Sequence, residues 1–179
     1  MKHSGIIPPA CALAAMIAFA APAQAQSTKI VAIGASNTYA QAVSTSQAWP
    51  ALLESMLRAR GYDVSVDVER VTLGDSSMIL QRIDSAVPAG TKVVVYDLGV
   101  GRDRERGINT AANKPEVDRR IRAHGAVPIF AAYGRIVGSE ASNPSAWIAG
   151  DPNHHITPES HARVAAWLLP QVVAALKKR

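Results

Sequence analysis

The sequence predicts an α/β domain built on a mainly parallel sheet with helices on both faces. Three observations predict it. Strand-like and helix-like segments alternate along the chain. One run, Val93-Val-Val-Tyr96, is apolar at every position, as a strand buried on both faces requires. Small-residue and polar segments follow the strands, at the edge where open sheets carry their chemistry.

The first 25 residues stand apart from this pattern. Lys2 and His3 form a short polar start, Ala10 to Ala21 is apolar, and Ala23-Gln-Ala25 reads as a small-x-small cleavage site, together a secretory signal. The apolar run falls short of the roughly 20 residues of a membrane span. The expectation is an exported protein, periplasmic or secreted, with a signal peptide over residues 1–25 and one domain over residues 26–179. Cys11, the only cysteine, lies inside the signal, so the mature chain has no disulfide framework and no cysteine nucleophile. Removing Lys2 leaves an excess charge of about +4, carried by scattered Lys and Arg without an aromatic-interleaved basic stripe. Nucleic acid is therefore not an expected partner, and nothing calls for a membrane span or an obligate protein partner.

The elements follow in order. Ile30 to Ile33 is an apolar first strand that leads into Gly34-Ala-Ser36, and Asn37 to Gln47 is a polar loop suited to a substrate pocket. Trp49, Leu52, Leu53, Met56 and Leu57 recur at helical spacing, and Gly61 stops that helix. Val64, Val66 and Val68 alternate with polar residues as a half-exposed strand. Thr72 to Ser77 is a turn opening a helix with apolar positions Met78, Ile79, Leu80 and Ile83, which Pro88-Ala-Gly90 ends. After the strand at residues 93–96, Asp97 to Gly107 reads as a glycine-rich loop, followed by a helix from Pro115 to His124 and a strand from Val127 to Ala132. Tyr133 to Asp151 is a Gly, Ser and Asn-rich loop. The last helix starts at Thr157-Pro158-Glu159, with Thr as N-cap and Pro at the first position. Val164, Trp167, Leu168, Val172 and Leu176 are its expected inner face, and Pro170 predicts a kink. Trp49 and Trp167 read as core residues.

Four loops thus gather at the strands' C-terminal edge. They bring Ser36, Gly74 in a tight turn, the flexible pair Gly99 and Gly101, and Asp151 followed by His154 and His155. Acyl transfer needs a nucleophile, a base, an acid that orients the base, and donors for the tetrahedral oxyanion. These residue types supply that set in outline. Taken without further context, the Asp and two His read first as a hydrogen-bonded turn with a helix cap. Asp151, His154, His155 and His161 lack a paired ligand motif, so no metal site is expected. Gly99-Val-Gly101 does not complete a dinucleotide fingerprint, and no cofactor is expected.

The same residues resemble the SGNH (GDSL-type) hydrolases over essentially the whole mature chain. Ile33-Gly-Ala-Ser-Asn-Thr38 resembles the family's first block, Leu73-Gly-Asp-Ser76 the second, and His155-Ile-Thr-Pro-Glu159 the last. Trp49-Pro-Ala-Leu-Leu53 and Ala89-Gly-Thr-Lys92 are similar to the periplasmic thioesterase and lysophospholipase branch. The resemblance implies a flavodoxin-like three-layer α/β/α sandwich and hydrolysis of a small-molecule, lipid or acylated ester or thioester. Ser36 would be the nucleophile, His155 the base and Asp151 its orienting acid, with oxyanion donors at the Ser36 and Gly74 N–H groups. Gly74-Asp-Ser76 spells the nominal motif better than Gly34-Ala-Ser36 does, but it follows the second strand, so Ser76 is only a minor alternative nucleophile.

Three departures accompany the resemblance. Ala35 stands where the first block has Asp. The third block's oxyanion Asn is missing, and its place falls on Gly101 or Arg102, the latter a possible cationic donor. The family places its acid three residues before the histidine, which pairs Asp151 with His154, whereas the match to the following helix start pairs Asp151 with His155 across a one-residue bulge. A hydrolase-like binding protein with impaired catalysis is the alternative reading.

Overall fold

The structure, a computed structural model, describes residues 27–178, so the expected signal peptide lies outside the described residues. Four strands, β1 (Thr28–Gly34), β2 (Val64–Arg70), β3 (Val93–Tyr96) and β4 (Val127–Phe130), form one sheet in the order β2-β1-β3-β4. Every pairing is parallel. Successive side chains of a strand point to opposite faces, and β1 divides accordingly. Ile30 and Ala32 enter a core with Trp49, Leu53 and Leu57 of α1 (Trp49–Arg58) and Val164, Leu168 and Val172 of α6 (Pro158–Lys177). Val31 and Ile33 enter a second core with Ile79 and Ile83 of α2 (Ser76–Ala86) and Val117 and Ile121 of α4 (Thr110–Ala123). The three-layer α/β/α arrangement follows. Each of the large aliphatic side chains buried in these layers contributes about 1.5–3 kcal/mol.

The chain runs from β1 outward to β2 and then back across to β3, so the order reverses between β1 and β3. A crevice at the C-terminal ends of these two strands is the binding position in open α/β sheets. Val93 to Tyr96 is fully buried, as its unbroken apolar run requires, whereas the edge strand β2 is buried only at Val64.

Several elements differ from the expectations. Asp97 to Gly107 is not a loop throughout: α3 (Val100–Arg106) forms within it, bounded by Gly99 and Gly107 at φ +63° and +67°. Its run of Arg and Glu favours helix more than the bracketing glycines oppose it. The next helix begins at Thr110 rather than Pro115, because the Asn109 side chain accepts from the N–H groups of Ala111 and Ala112. β4 ends at Phe130, two residues early. Trp167 is 42% exposed, since the buried stripe of α6 runs through Val164, Leu168 and Val172, and Trp167 lies one position off it. Helix α6 continues unbroken through Pro170, which occupies its exposed side. The Tyr133 to Asp151 segment contains two short helical turns, α5 (Tyr133–Ile136) and a 3-10 turn (Pro144–Ala146).

Candidate active site

β1 delivers Ser36 two residues beyond its end. Gly34 permits the turn because a Cβ there would lie 2.2 Å from Thr38 Oγ1 and 2.9 Å from Asp97 Cβ. The Thr38 and Tyr39 N–H groups donate to Ala35 O and the Gln41 N–H to Ser36 O, which coils the segment on itself. Ser36 is half-buried, and among the described residues its N–H donates to no protein group.

Asp151 and His155 meet across the loop before α6. His155 Nδ1 is hydrogen-bonded to Asp151 Oδ2, and Asp151 also accepts from the N–H groups of Asn153 at 2.9 Å and His155 at 3.2 Å. Burial acts to raise the Asp151 pKa, but these donors outweigh it and hold the carboxyl below its ordinary value. An ionised carboxylate only accepts, so Nδ1 carries a ring proton, and in the neutral form of the ring the lone pair is on Nε2. That Nε2 is buried without a hydrogen-bond partner among the described residues.

The competing registers resolve through one backbone angle. His154 has φ +55°, a left-handed residue that absorbs the additional position and sends its own side chain outward to Glu140 Oε2 at 2.6 Å. The following residue, His155, turns inward and is 4% exposed. The loop is then locked to α6 by Thr157, whose Oγ1 caps the Ser160 N–H as expected.

Asn37, which the sequence reading passed over, ties the serine turn to the histidine loop. Its Oδ1 accepts the Ile156 N–H at 3.0 Å and its Nδ2 donates to His154 O at 3.3 Å, bracketing His155 on both sides. Only its position beside Ser36 signalled it. Asp97, at the end of β3, is the other unrecognised residue. Its carboxylate accepts N–H groups of Gly99, Leu98 and Ala35, and so reaches the turn that carries Ser36. Burial raises its pKa to about 6 against those donors, with the charge of Asp103 adding to the rise. Beneath the turn, Thr38 Oγ1 shares a hydrogen bond with Tyr133 Oη at 3.0 Å, Trp49 Nε1 donates to the same oxygen at 2.9 Å, and the Trp49 N–H donates to His161 Nδ1 at 3.2 Å. Burial, together with the charge of His155, lowers the His161 pKa to about 4.

The remaining expected residues are placed less favourably for oxyanion chemistry. The Gly74 N–H donates to Val71 O at 3.0 Å within its own turn. Gly74 is nonetheless at the edge of the crevice: a Cβ on Gly99 would lie 2.1 Å from Gly74 O, so the second and third loops touch through that glycine. Gly101 is exposed in the first turn of α3, and Arg102 directs its guanidinium to Glu105 Oε2 at 2.8 Å, a half-exposed ion pair along the helix. Ser76 is excluded as a nucleophile. It is fully buried, its N–H donates to Asp103 and its Oγ accepts from Asn113 Nδ2 at 2.8 Å.

The sequence matches no protein-family model and no curated protein. The structure does match solved ones. TesA is 25% identical with a TM-score of 0.60, the match covering 83% of this chain and 98% of that one. A lipolytic protein of the G-D-S-L family from Desulfitobacterium hafniense DCB-2 is 13% identical with a TM-score of 0.64, covering 80% and 98%. The psychrotrophic esterase EstA from Pseudoalteromonas sp. is 14% identical with a TM-score of 0.64, covering 84% and 100%. Sheet order, layer arrangement and these likenesses agree, and the chain has the SGNH (GDSL-type) hydrolase fold.

Proposed function

We propose that the chain is an exported serine hydrolase that cleaves an ester or thioester through an acyl-enzyme on Ser36. The observation that carries this reading is the buried His155 Nε2, unpartnered and oriented by Asp151 through the opposite ring nitrogen. In this mechanism Ser36 Oγ attacks the carbonyl carbon while its proton passes to Nε2. The tetrahedral oxyanion is held by the Ser36 N–H and, where Gly74 exchanges its turn bond for the substrate, by the Gly74 N–H. The intermediate collapses, the carbon–oxygen or carbon–sulfur bond breaks, and Nε2 returns the proton to the leaving group. A water, deprotonated by the same nitrogen, then releases the acid and restores Ser36.

Hydrolysis of short-chain aryl esters by the purified protein tests this reading. Ser36→Ala and His155→Ala are expected to abolish turnover to within background, and His154→Ala to retain it. Undiminished activity of Ser36→Ala overturns the assignment. The engaged Gly74 N–H and the outward Arg102 favour a second reading, a binding protein with impaired catalysis. Each lost oxyanion donor costs about 10²- to 10³-fold in turnover. Rapid labelling by a fluorophosphonate that disappears in Ser36→Ala contradicts that second reading.

A further inference from the structure

A groove of about 290 Å³ opens beside the serine turn, between the segment Thr38–Ala40, the start of α1 and the outer edge of β2. Its floor is apolar, formed by Ala40, Ala48, Ala51, Val66 and Val68. Its volume is at the small end for ligand sites. At one end stands Arg70, which pairs in register with Gly34 and so lies one strand spacing from the root of the Ser36 turn. The Arg70 guanidinium lies over the Tyr39 ring at 4.4 Å. The contact is a cation–π one, and a guanidinium carries its N–H donors as a rigid planar fork. Arg70 is exposed and forms no ion pair with a described carboxylate. Two acids beside it are engaged elsewhere: Glu69, its neighbour in the chain, faces Arg82 at 3.7 Å, and Glu54, which lines the groove, takes the Val66 N–H at 2.8 Å and Arg58 at 3.0 Å.

We infer that this groove is a substrate subsite selecting an anionic group: Arg70, held against the Tyr39 ring, receives a carboxylate or phosphate, and the alanine and valine floor takes the short carbon segment joining it to the ester. The inference rests on the Ser36 reading for its catalytic consequence but not for its binding consequence. A planar fork matches the paired oxygens of either anion, and a charge-assisted pair discriminates by about tenfold or more against a neutral isostere.

Two measurements decide it. The first compares kcat/KM for aryl esters matched in length: an adipate monoester against a neutral heptanoate ester, and the acetate ester of 4-hydroxyphenyl phosphate against 4-tert-butoxyphenyl acetate. At least one anionic ester is expected to exceed its neutral partner by about tenfold or more, with the ratio falling toward one in Arg70→Gln and on raising salt. The arm that responds identifies the anion as carboxylate on the acyl side or phosphate on the alcohol side. A ratio near one for both pairs, or a ratio preserved in Arg70→Gln, overturns the subsite. The second is calorimetry of adipate and phenyl phosphate on Ser36→Ala, with and without Arg70→Gln. If no ester is cleaved but binding depends on Arg70, the catalytic reading fails and the subsite stands. If neither anion binds, or binding ignores Arg70, the subsite is overturned.

Discussion

Replacing Asn37 with Ala removes a side chain that joins the serine turn to the histidine loop by hydrogen bonds, and the structure sets the size of the effect. Ile156 is fully buried, and its N–H donates to Asn37 Oδ1 at 3.0 Å. Alanine leaves that amide buried without a partner, which costs about 1–3 kcal/mol. The second bond, Nδ2 to His154 O at 3.3 Å, is exposed and adds less, on the order of 0.5 kcal/mol. Asn37→Ala is therefore expected to lose roughly 2–3 kcal/mol in urea unfolding at constant m-value. Catalysis suffers separately, because the lost staple frees His155 to shift relative to Ser36, and a displacement near 1 Å costs about 10²-fold in kcat. Asn37→Asp keeps the acceptor for the Ile156 N–H and loses only the donor, so it retains most of the stability while losing the bond to His154. Stability of Asn37→Ala within about 0.5 kcal/mol of wild type, with kcat also unchanged, would refute the staple, because that amide cannot be left unpaired at so little cost.

Two buried groups predict opposite pH trends. His161 is lowered to about 4 from an ordinary 6.5, so the unfolded chain binds the proton more readily, and its contribution to stability is present above pH 6.5 and lost as the pH falls toward 4. The stability of His161→Gln relative to wild type should then improve by up to about 3 kcal/mol on acidification across that window, read by urea midpoints at each pH. Asp97 is raised to about 6 from 3.8, so its contribution is present below 3.8 and lost as the pH rises through 6, and Asp97→Asn should gain on wild type in that opposite direction. Identical pH slopes for both variants and the wild type would contradict these burial effects. Gly34→Ala forces a Cβ to within 2.2 Å of Thr38 Oγ1 and 2.9 Å of Asp97 Cβ, neither atom at a flexible chain end. A loss of about 1–3 kcal/mol in thermal or urea unfolding is expected from that overpacking, and a neutral substitution would contradict the close approach.

Much of the architecture was legible along the chain because it rests on local pattern. The apolar run at residues 93–96, the stripe of Trp49, Leu53 and Leu57, and the Thr157-Pro158 start are short-range signals that tertiary packing reinforced. Where local signals conflicted, packing or capping decided. Gly99 and Gly107 suggested a loop, yet the residues between them form α3; Pro115 suggested a helix start, yet Asn109 caps the helix earlier. Trp167 had the hydrophobicity of a core residue but not the angular position of one.

The site divides in the same way. Sequence alone determined that a small turn with Ser36 follows the first strand and that Asp151 and His155 precede the last helix, because chain order and spacing are properties of the sequence. It could not determine which histidine faces inward. That was decided by the left-handed backbone of His154, which the loop accepts because His155 O takes the Ile148 N–H and the Ile156 N–H reaches Asn37 in a distant part of the chain. The staple by Asn37 and the reach of the Asp97 carboxylate to the Ala35 N–H likewise depend on groups far apart in sequence. Hydrogen bonds over such separations leave no periodic trace along a chain, and only the folded structure brings their partners together.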